Sequence, residues 1–232
     1  VTKDGTLAGP KVLEHLVDVV LNFEGDRYGG FKTVRAVKNR FGATNEVAIF
    51  EMVDAGLREV ANPSAALLAE RTNTDGSVIL ATLEGNRPLL VEIQALATTS
   101  NYGYPKRTAS GFDLNRLNLL IAVLERRTKL RLSDKDIFVN VVGGMKLNDS
   151  AADLAVCMAI ASAVAGRRLD EGYVVFGEVG LGGEIRSAFR ADQRIAEAKK
   201  LGFVHAIGPS SVHDKFVIPT KDLRETLIRY VK

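Results

Sequence analysis

The run Ser150-Ala151-Ala152-Asp153-Leu154-Ala155-Val156-Cys157-Met158-Ala159-Ile160-Ala161-Ser162-Ala163-Val164-Ala165 is apolar almost all the way round a helix and stops at Gly166. A helix without a polar face has to be enclosed by other elements, so this one predicts the centre of a core. Its surroundings fit. Residues 136–142 read as a strand before it, and residues 173–178 and 184–187 as strands after it, around Gly182-Gly183. Residues 112–130 carry Leu114, Leu117, Ile121 and Leu124 at helical spacing. Residues 77–83 and 89–96 are strands joined by Glu84-Gly85-Asn86-Arg87-Pro88, a hairpin signal. Residues 191–201 predict a helix closed by Gly202, residues 203–207 a strand, and residues 221–231 a last helix capped by Thr220. Strands and helices interleave, which places residues 77–232 in the α/β class.

Upstream the pattern changes. Pro10 suits a first helical turn, with Val12, Leu13 and Leu16 as an apolar stripe. Residues 17–23, 31–39 and 47–53 read as strands, with a turn at Glu24-Gly25-Asp26 and Gly29-Gly30. These strands have too few apolar positions for a core of their own, so residues 1–56 are expected to need a partner outside the chain. Residues 57–76 read as a connector, broken at Asn62-Pro63-Ser64 and Asn73-Thr74-Asp75-Gly76. Residues 97–111 form a long polar loop with Tyr102, Tyr104, Lys106 and Arg107.

Composition narrows the function classes. The 232 residues are 46% hydrophobic and 25% charged, ordinary for a globular protein. Only 6% are aromatic and none is Trp, which speaks against a base-stacking platform as the dominant device. A net charge of +3 permits nucleic-acid binding without demanding it. Cys157 is the one cysteine and lies in the apolar run, so it reads as a small buried hydrophobe in a reducing cytosol. No segment reaches the roughly 18 apolar residues of a membrane span, and the start is no signal peptide. His15, His205 and His213 have no ligand spacing, and no metal site is expected.

No phosphate-binding loop is present: GxxxxGK[ST] and GxGxxG are both missing, and Gly30-Phe31-Lys32-Thr33 lacks the Gly before Lys. The chain is expected to hold no ATP alone. Lys38-Asn39-Arg40-Phe41-Gly42 nevertheless puts two cations at the end of a strand, before a turn. Arg offers a planar fork for phosphate and Lys a mobile point charge. From the residues alone, a solvated strand end and a phosphate contact both stand.

Several stretches resemble the bacterial RadA (Sms) family of DNA-repair proteins. They are Val1-Thr2-Lys3-Asp4-Gly5, Ala8-Gly9-Pro10-Lys11-Val12-Leu13-Glu14-His15, Lys38-Asn39-Arg40-Phe41-Gly42, residues 107–117, Ala151-Ala152-Asp153-Leu154-Ala155-Val156 and residues 176–186. The resemblance covers essentially the whole chain. It implies a C-terminal piece of a RecA-like ATPase core over residues 1–56, a connector over 57–76, and a Lon-protease-like (ribosomal S5 domain 2-like) α/β domain over 77–232. The family's four-cysteine zinc finger and Walker motifs would lie upstream, so zinc, ATP and magnesium belong to the intact protein and not to this chain. The implied function is DNA repair and homologous recombination, by a bacterial cytoplasmic, hexameric DNA-dependent ATPase. It would drive branch migration on single-stranded DNA, with a recombinase as a further possible partner. In the related ring helicases of the DnaB type a similar Lys-x-Arg reaches the neighbouring subunit's nucleotide. That role is carried over to Lys38 and Arg40, in competition with DNA contact; Asn39, Phe41 and Gly42 would shape the turn.

The Lon resemblance also bears on proteolysis. Lon chemistry needs a Ser nucleophile and a Lys base. The nucleophile pattern falls on residues 147–153 and puts Ala151 where the Ser belongs. Ser150, with Asp153 three residues on, resembles a capping box instead. The two lysine positions hold Asp192 and Arg194, and Arg does not give up its proton. The domain is therefore expected to be proteolytically inactive and to scaffold a ring and DNA. The alternatives are an active Ser-Lys peptidase using Ser150 and a purely structural oligomerisation domain. DNA candidates are Lys106, Arg107 and Arg116, preferred over the run Arg126, Arg127, Lys129 and Arg131.

Overall fold

A computed structural model describes residues 16–25, 31–100 and 103–231. The stretch around Pro10, the turn at Gly29-Gly30, His15 and Tyr102 lie outside the described residues. The chain divides into two compact units, residues 1–60 with 85–87, and residues 61–84 with 88–232.

In the first unit β1 (Val19–Glu24), β2 (Phe31–Asn39), β3 (Val47–Val53) and β4 (Gly56–Glu59) form an antiparallel meander in chain order. The alternation expected along β2 does not hold to its end. Val20 pairs with Lys38 but Leu21 with Ala36, which leaves Val37 as the extra residue of a β-bulge. A bulge bends its strand and re-aims the side chains beyond it, here Lys38 and Asn39. Among its described residues this unit buries only Val47, Ile49 and Val60 of its apolar side chains, while Leu21, Phe23, Val37 and Met52 are more than half exposed. The shortage of core read from the sequence is present in the fold.

Residues 57–76 are more than a connector. Leu57 pairs with Met52 through β4. Helix α1 (Pro63–Leu68) starts where Asn62 Oδ1 accepts from Ala65 N at 3.1 Å, with Pro63 in the first turn. Ser64 is buried because its hydroxyl has two partners: it donates to Glu197 Oε1 (2.7 Å) and accepts from Leu90 N (3.1 Å).

The second unit is built on a seven-stranded mixed sheet in the order β13-β12-β9-β5-β6-β8-β7. Its strands are β5 (Ser77–Glu84), β6 (Arg87–Thr99), β7 (Arg107–Ser110), β8 (Lys135–Val141), β9 (Tyr173–Val175), β12 (His205–Pro209) and β13 (Val217–Thr220). A two-stranded hairpin, β10 (Glu178–Val179) with β11 (Ile185–Arg186), stands apart from it. The helices are α2 (Leu114–Thr128), α3 (Ala152–Ala165), α4 (Ala191–Lys200) and α5 (Leu223–Tyr230). Helix α3 is the enclosed helix expected: residues 152–162 are all buried, and it packs on β5, β8 and β9 and against α2 and α5. A separate apolar cluster joins α4 to the sheet through Ile79, Ala81, Leu90, Phe176, Ile195 and Ala198. This is the α/β class read from the sequence.

Two caps differ from expectation. Thr220 does not cap α5. It ends β13 and donates to Gly208 O (3.0 Å), while Asp222 Oδ1 accepts from Glu225 N (3.1 Å). Asp222→Ala is expected to destabilise this unit by about 1 kcal/mol, read as a lower thermal midpoint. Ser150 caps nothing in α3 either. Asp149 Oδ1 holds Ala151 N at 3.0 Å, and Asp153 is committed elsewhere.

Candidate functional site

The pentapeptide 38–42 begins on the last residues of β2, just past the Val37 bulge, and ends in a tight turn. Asn39 makes that turn. Its Oδ1 accepts from Phe41 N at 3.1 Å and its Nδ2 points to Ala43 O at 3.4 Å, an Asx-turn in which the side chain stands in for backbone. Gly42 leaves room for this amide: a Cβ there would lie 3.1 Å from Asn39 Nδ2. Arg40 is tied to the start of β1 twice, by its N–H to Asp18 O (3.0 Å) and by its guanidinium to Asp18 Oδ1 (2.9 Å). Both side chains of that pair are exposed, so the pair is weak and readily exchanged for another anion. Phe41 is 81% exposed at the tip. The five residues divide into a scaffold, Asn39 and Gly42, and a display, Arg40 and Phe41, with Lys38 half-buried on β2 beside them. What they can do chemically is meet phosphate or nucleic acid from solvent; they contain no base or nucleophile.

Three arginines singled out in the second unit are already occupied. Arg107 donates to the carbonyls of Lys106 (3.1 Å), Leu132 (2.9 Å) and Lys135, so its guanidinium ties the edge strand β7 to the turn before β8. Arg116 grips Asp153 with two nitrogens, Nε to Oδ1 at 2.9 Å and Nη2 to Oδ2, and also reaches Val179 O at 3.1 Å. Arg127 donates to Leu181 O at 3.1 Å, so two arginines of α2 hold the β10–β11 hairpin. Arg107 and Arg116, expected as DNA contacts, are thus also engaged within the fold. Their directional donors are used on buried or backbone acceptors, which would be stranded if the arginines turned outward. Of the expected DNA contacts Lys106, Arg107 and Arg116, Lys106 alone is exposed; its N–H rests on Asp136 Oδ1 at 2.7 Å.

Asp153 shows why Arg116 is needed. It is 1% exposed in the first turn of the apolar helix. Burial pushes its carboxyl above the ordinary value, and Arg116 with the Val179 N–H offsets only part of that. Cys157, one turn on, is wholly buried, and burial pushes its thiol far up. That suits the inert packing residue expected.

At the Lon-like catalytic positions the structure places no dyad. Ala151 is a buried methyl and Asp192 is exposed on the first turn of α4. Arg194 is 1% exposed and engaged through two nitrogens: Nη1 with Asp149 Oδ2 (2.6 Å) and Ala81 O (2.7 Å), Nε with Phe189 O (3.0 Å). Asp149 also receives Thr82 Oγ1 (2.9 Å), Leu83 N (3.1 Å) and Ala151 N (3.0 Å). Burial would push the Asp149 carboxyl up, but Arg194 and the Ala151 and Leu83 N–H groups outweigh it and hold it below its ordinary value. A carboxyl depressed in the fold stabilises above its unfolded value, near pH 4, and that stability is lost as pH falls through the folded value. Asp149→Asn is accordingly expected to flatten the acid limb of a stability-versus-pH curve measured by denaturant titration. An equally steep limb in the variant would refute this.

Sequence reasoning missed both buried pairs. Asp153 alone carried a signal, since a lone charge in an otherwise apolar helix has to be paired. No His/Cys/Asp/Glu cluster that could hold a metal occurs among the described residues, and none of their helices is long and apolar enough to cross a membrane.

A family model described as subunit ChlI of Mg-chelatase matches residues 116–211, all within the second unit. Among curated proteins, the DNA repair protein RadA of Aquifex aeolicus is 46% identical over 231 residues, 98% of this chain and 52% of the relative. The DNA repair protein RadA of Bacillus subtilis is 50% identical over 220 residues, 94% of this chain and 48% of the relative. That of Streptococcus pneumoniae is also 50% identical over 220 residues, 94% of this chain and 52% of the relative. The chain thus spans about half the length of the curated relatives it matches. Nearly every residue of this chain aligns with the C-terminal part of such proteins, and the chain belongs to the family of the DNA repair protein RadA.

Proposed function

We propose that this chain acts in DNA repair and homologous recombination as the C-terminal part of a RadA-type motor. Its first unit completes a RecA-like ATPase domain, and its second, Lon-like unit serves as a ring-forming scaffold that contacts DNA. The motor is a hexameric ring that takes ATP and magnesium at a P-loop, moves on single-stranded DNA and promotes branch migration alongside a recombinase. Lys38 and Arg40 serve the nucleotide of a neighbouring subunit.

The observation that carries this reading is the Asn39-held turn. It presents Arg40, held in only an exposed ion pair, one residue beyond the half-buried Lys38 at the end of β2. A cation delivered from a neighbour stabilises charge on a transferring phosphoryl group. Exposed Leu21, Phe23 and Met52 further suit a sheet that continues into a larger domain. The peptidase alternative has Ala151 and the buried Arg194–Asp149 pair against it. The test is DNA-stimulated ATP hydrolysis by Lys38→Ala and Arg40→Ala variants of a full-length protein bearing this chain. Turnover at the parent rate in both would overturn the assignment.

A further inference from the structure

We propose that single-stranded nucleic acid lies in a composite groove of the second unit, with phosphates on Arg167 and Arg168 and bases on the open end of the sheet around Gln94 and Asn140. This rests on the DNA reading above but moves the contact away from Arg107 and Arg116.

The sheet half formed by β6, β8 and β7 carries one set of side chains that stays in solvent. Register places Gln94, Asn140 and Ser110 in one row across the three strands, and Leu96, Phe138 and Thr108 in the next. All but the half-buried Phe138 are exposed. A cleft of about 440 Å³ runs over these rows to the turn at Thr74 and Asp75. A second cleft, of about 550 Å³, starts from the same Thr74 and Asp75 and ends on Arg167 and Arg168. The two share the Thr74–Asp75 turn as a wall, and their chemistry is divided. One side offers neutral amides and hydroxyls over an aliphatic and an aromatic side chain. The other offers two guanidiniums.

That division matches a nucleotide strand. Amide side chains pair with base edges, and Leu96 with Phe138 gives a base an apolar surface to lie on. Arg is the side chain suited to phosphate oxygens. Unlike Arg107, Arg116, Arg127 and Arg194, neither Arg167 nor Arg168 uses its guanidinium on any described residue. Asn73, at the arginine end, carries a buried amide oxygen with no hydrogen-bond partner among the described residues. An acceptor of this kind calls for a donor such as water, not for a phosphate oxygen. Asp75 is the one carboxylate lining either cleft and repels phosphate at the junction, which keeps the backbone on the arginine side. Base faces are covered by stacking in a duplex, so a base that lies on Leu96 and Phe138 has to come from a single strand.

The test is fluorescence anisotropy of the 232-residue chain with labelled oligo(dT) and with an abasic deoxyribose-phosphate oligomer, each of about 20 nucleotides. Arg167→Ala with Arg168→Ala is expected to weaken both ligands and to lower the salt slope by about 1.4. Gln94→Ala with Asn140→Ala is expected to weaken oligo(dT) about tenfold and leave the abasic oligomer unchanged. All four positions are exposed, so unchanged melting is expected and verifies the fold. If the parent binds oligo(dT) and neither double variant differs from it, the groove is wrong while DNA binding stands. If the parent binds neither oligomer, the DNA reading of this unit fails and the groove with it.

Discussion

DNA-stimulated ATP hydrolysis is expected to fall about 10³-fold or more when Arg40 is replaced by Ala in a full-length RadA-type protein carrying this chain, the scale of a lost arginine finger. ATP binding is expected to persist, because the chain has no phosphate-binding loop of its own and the proposed reading puts the nucleotide on a loop outside it. The fold is not at stake. The Arg40–Asp18 pair is 59% and 49% exposed on its two side chains, and pairs of that kind contribute little. Asp18→Ala is therefore the control: it frees the same arginine and is expected to leave turnover close to the parent. Arg40→Lys keeps the charge and loses the planar fork, so an intermediate rate is expected. Lys38→Ala is expected to follow Arg40→Ala. Steady-state hydrolysis with and without single-stranded DNA, beside equilibrium nucleotide binding, separates these outcomes. Equal loss of binding and turnover would mean that the turn holds nucleotide rather than acting on its transfer.

Arg194→Ala is expected to destabilise the second unit by about 3–5 kcal/mol, because it leaves the Asp149 carboxylate largely buried without its cation. It also strands the carbonyls of Ala81 and Phe189, which take hydrogen bonds from the same guanidinium. For a unit of this size the thermal midpoint should drop by roughly 6–20 °C. Arg194→Lys restores a charge but not three separate donor directions, so a partial recovery is expected. Replacing both partners, Asp149→Asn with Arg194→Met, should recover much of the loss, since a removed ion pair costs less than a broken one. A midpoint in Arg194→Ala indistinguishable from the parent would show that the pair carries no stability. The same pair explains why restoring Ser at position 151 is expected to yield no peptidase. The lysine position is filled by a cation that never deprotonates and is held by a carboxylate.

Local pattern carried most of the architecture. The apolar run 150–165 gave a helix whose enclosure is what the structure has, and the strands at 31–39 and 47–53 fall on β2 and β3. Those signals are periodic and short-range, and burial has to respect them. Caps were less legible. Thr220 and Ser150 are suitable cap residues in composition, but Asp222 takes the Glu225 N–H of α5, and α3 starts with no side-chain cap at all. The bulge at Val37 left no trace in the alternation, because one extra residue is visible only from the partner strand β1.

The resemblance and the missing phosphate loop followed from the order of residues alone, since a motif is a matter of residue types and spacing. The fate of each arginine did not. Arg107, Arg116, Arg167, Arg168 and Arg194 are equivalent as letters, yet three end on carbonyls and carboxylates and two face solvent. Asp149 and Arg194 are 45 residues apart, and Arg116 and Asp153 are 37 apart. Whether a charge is spent inside the fold or offered to a ligand depends on which acceptors the packed sheet brings within about 3 Å of it. That distance is set by the packing of α2, α3 and α4 around the sheet, where contacts distant in the chain are made.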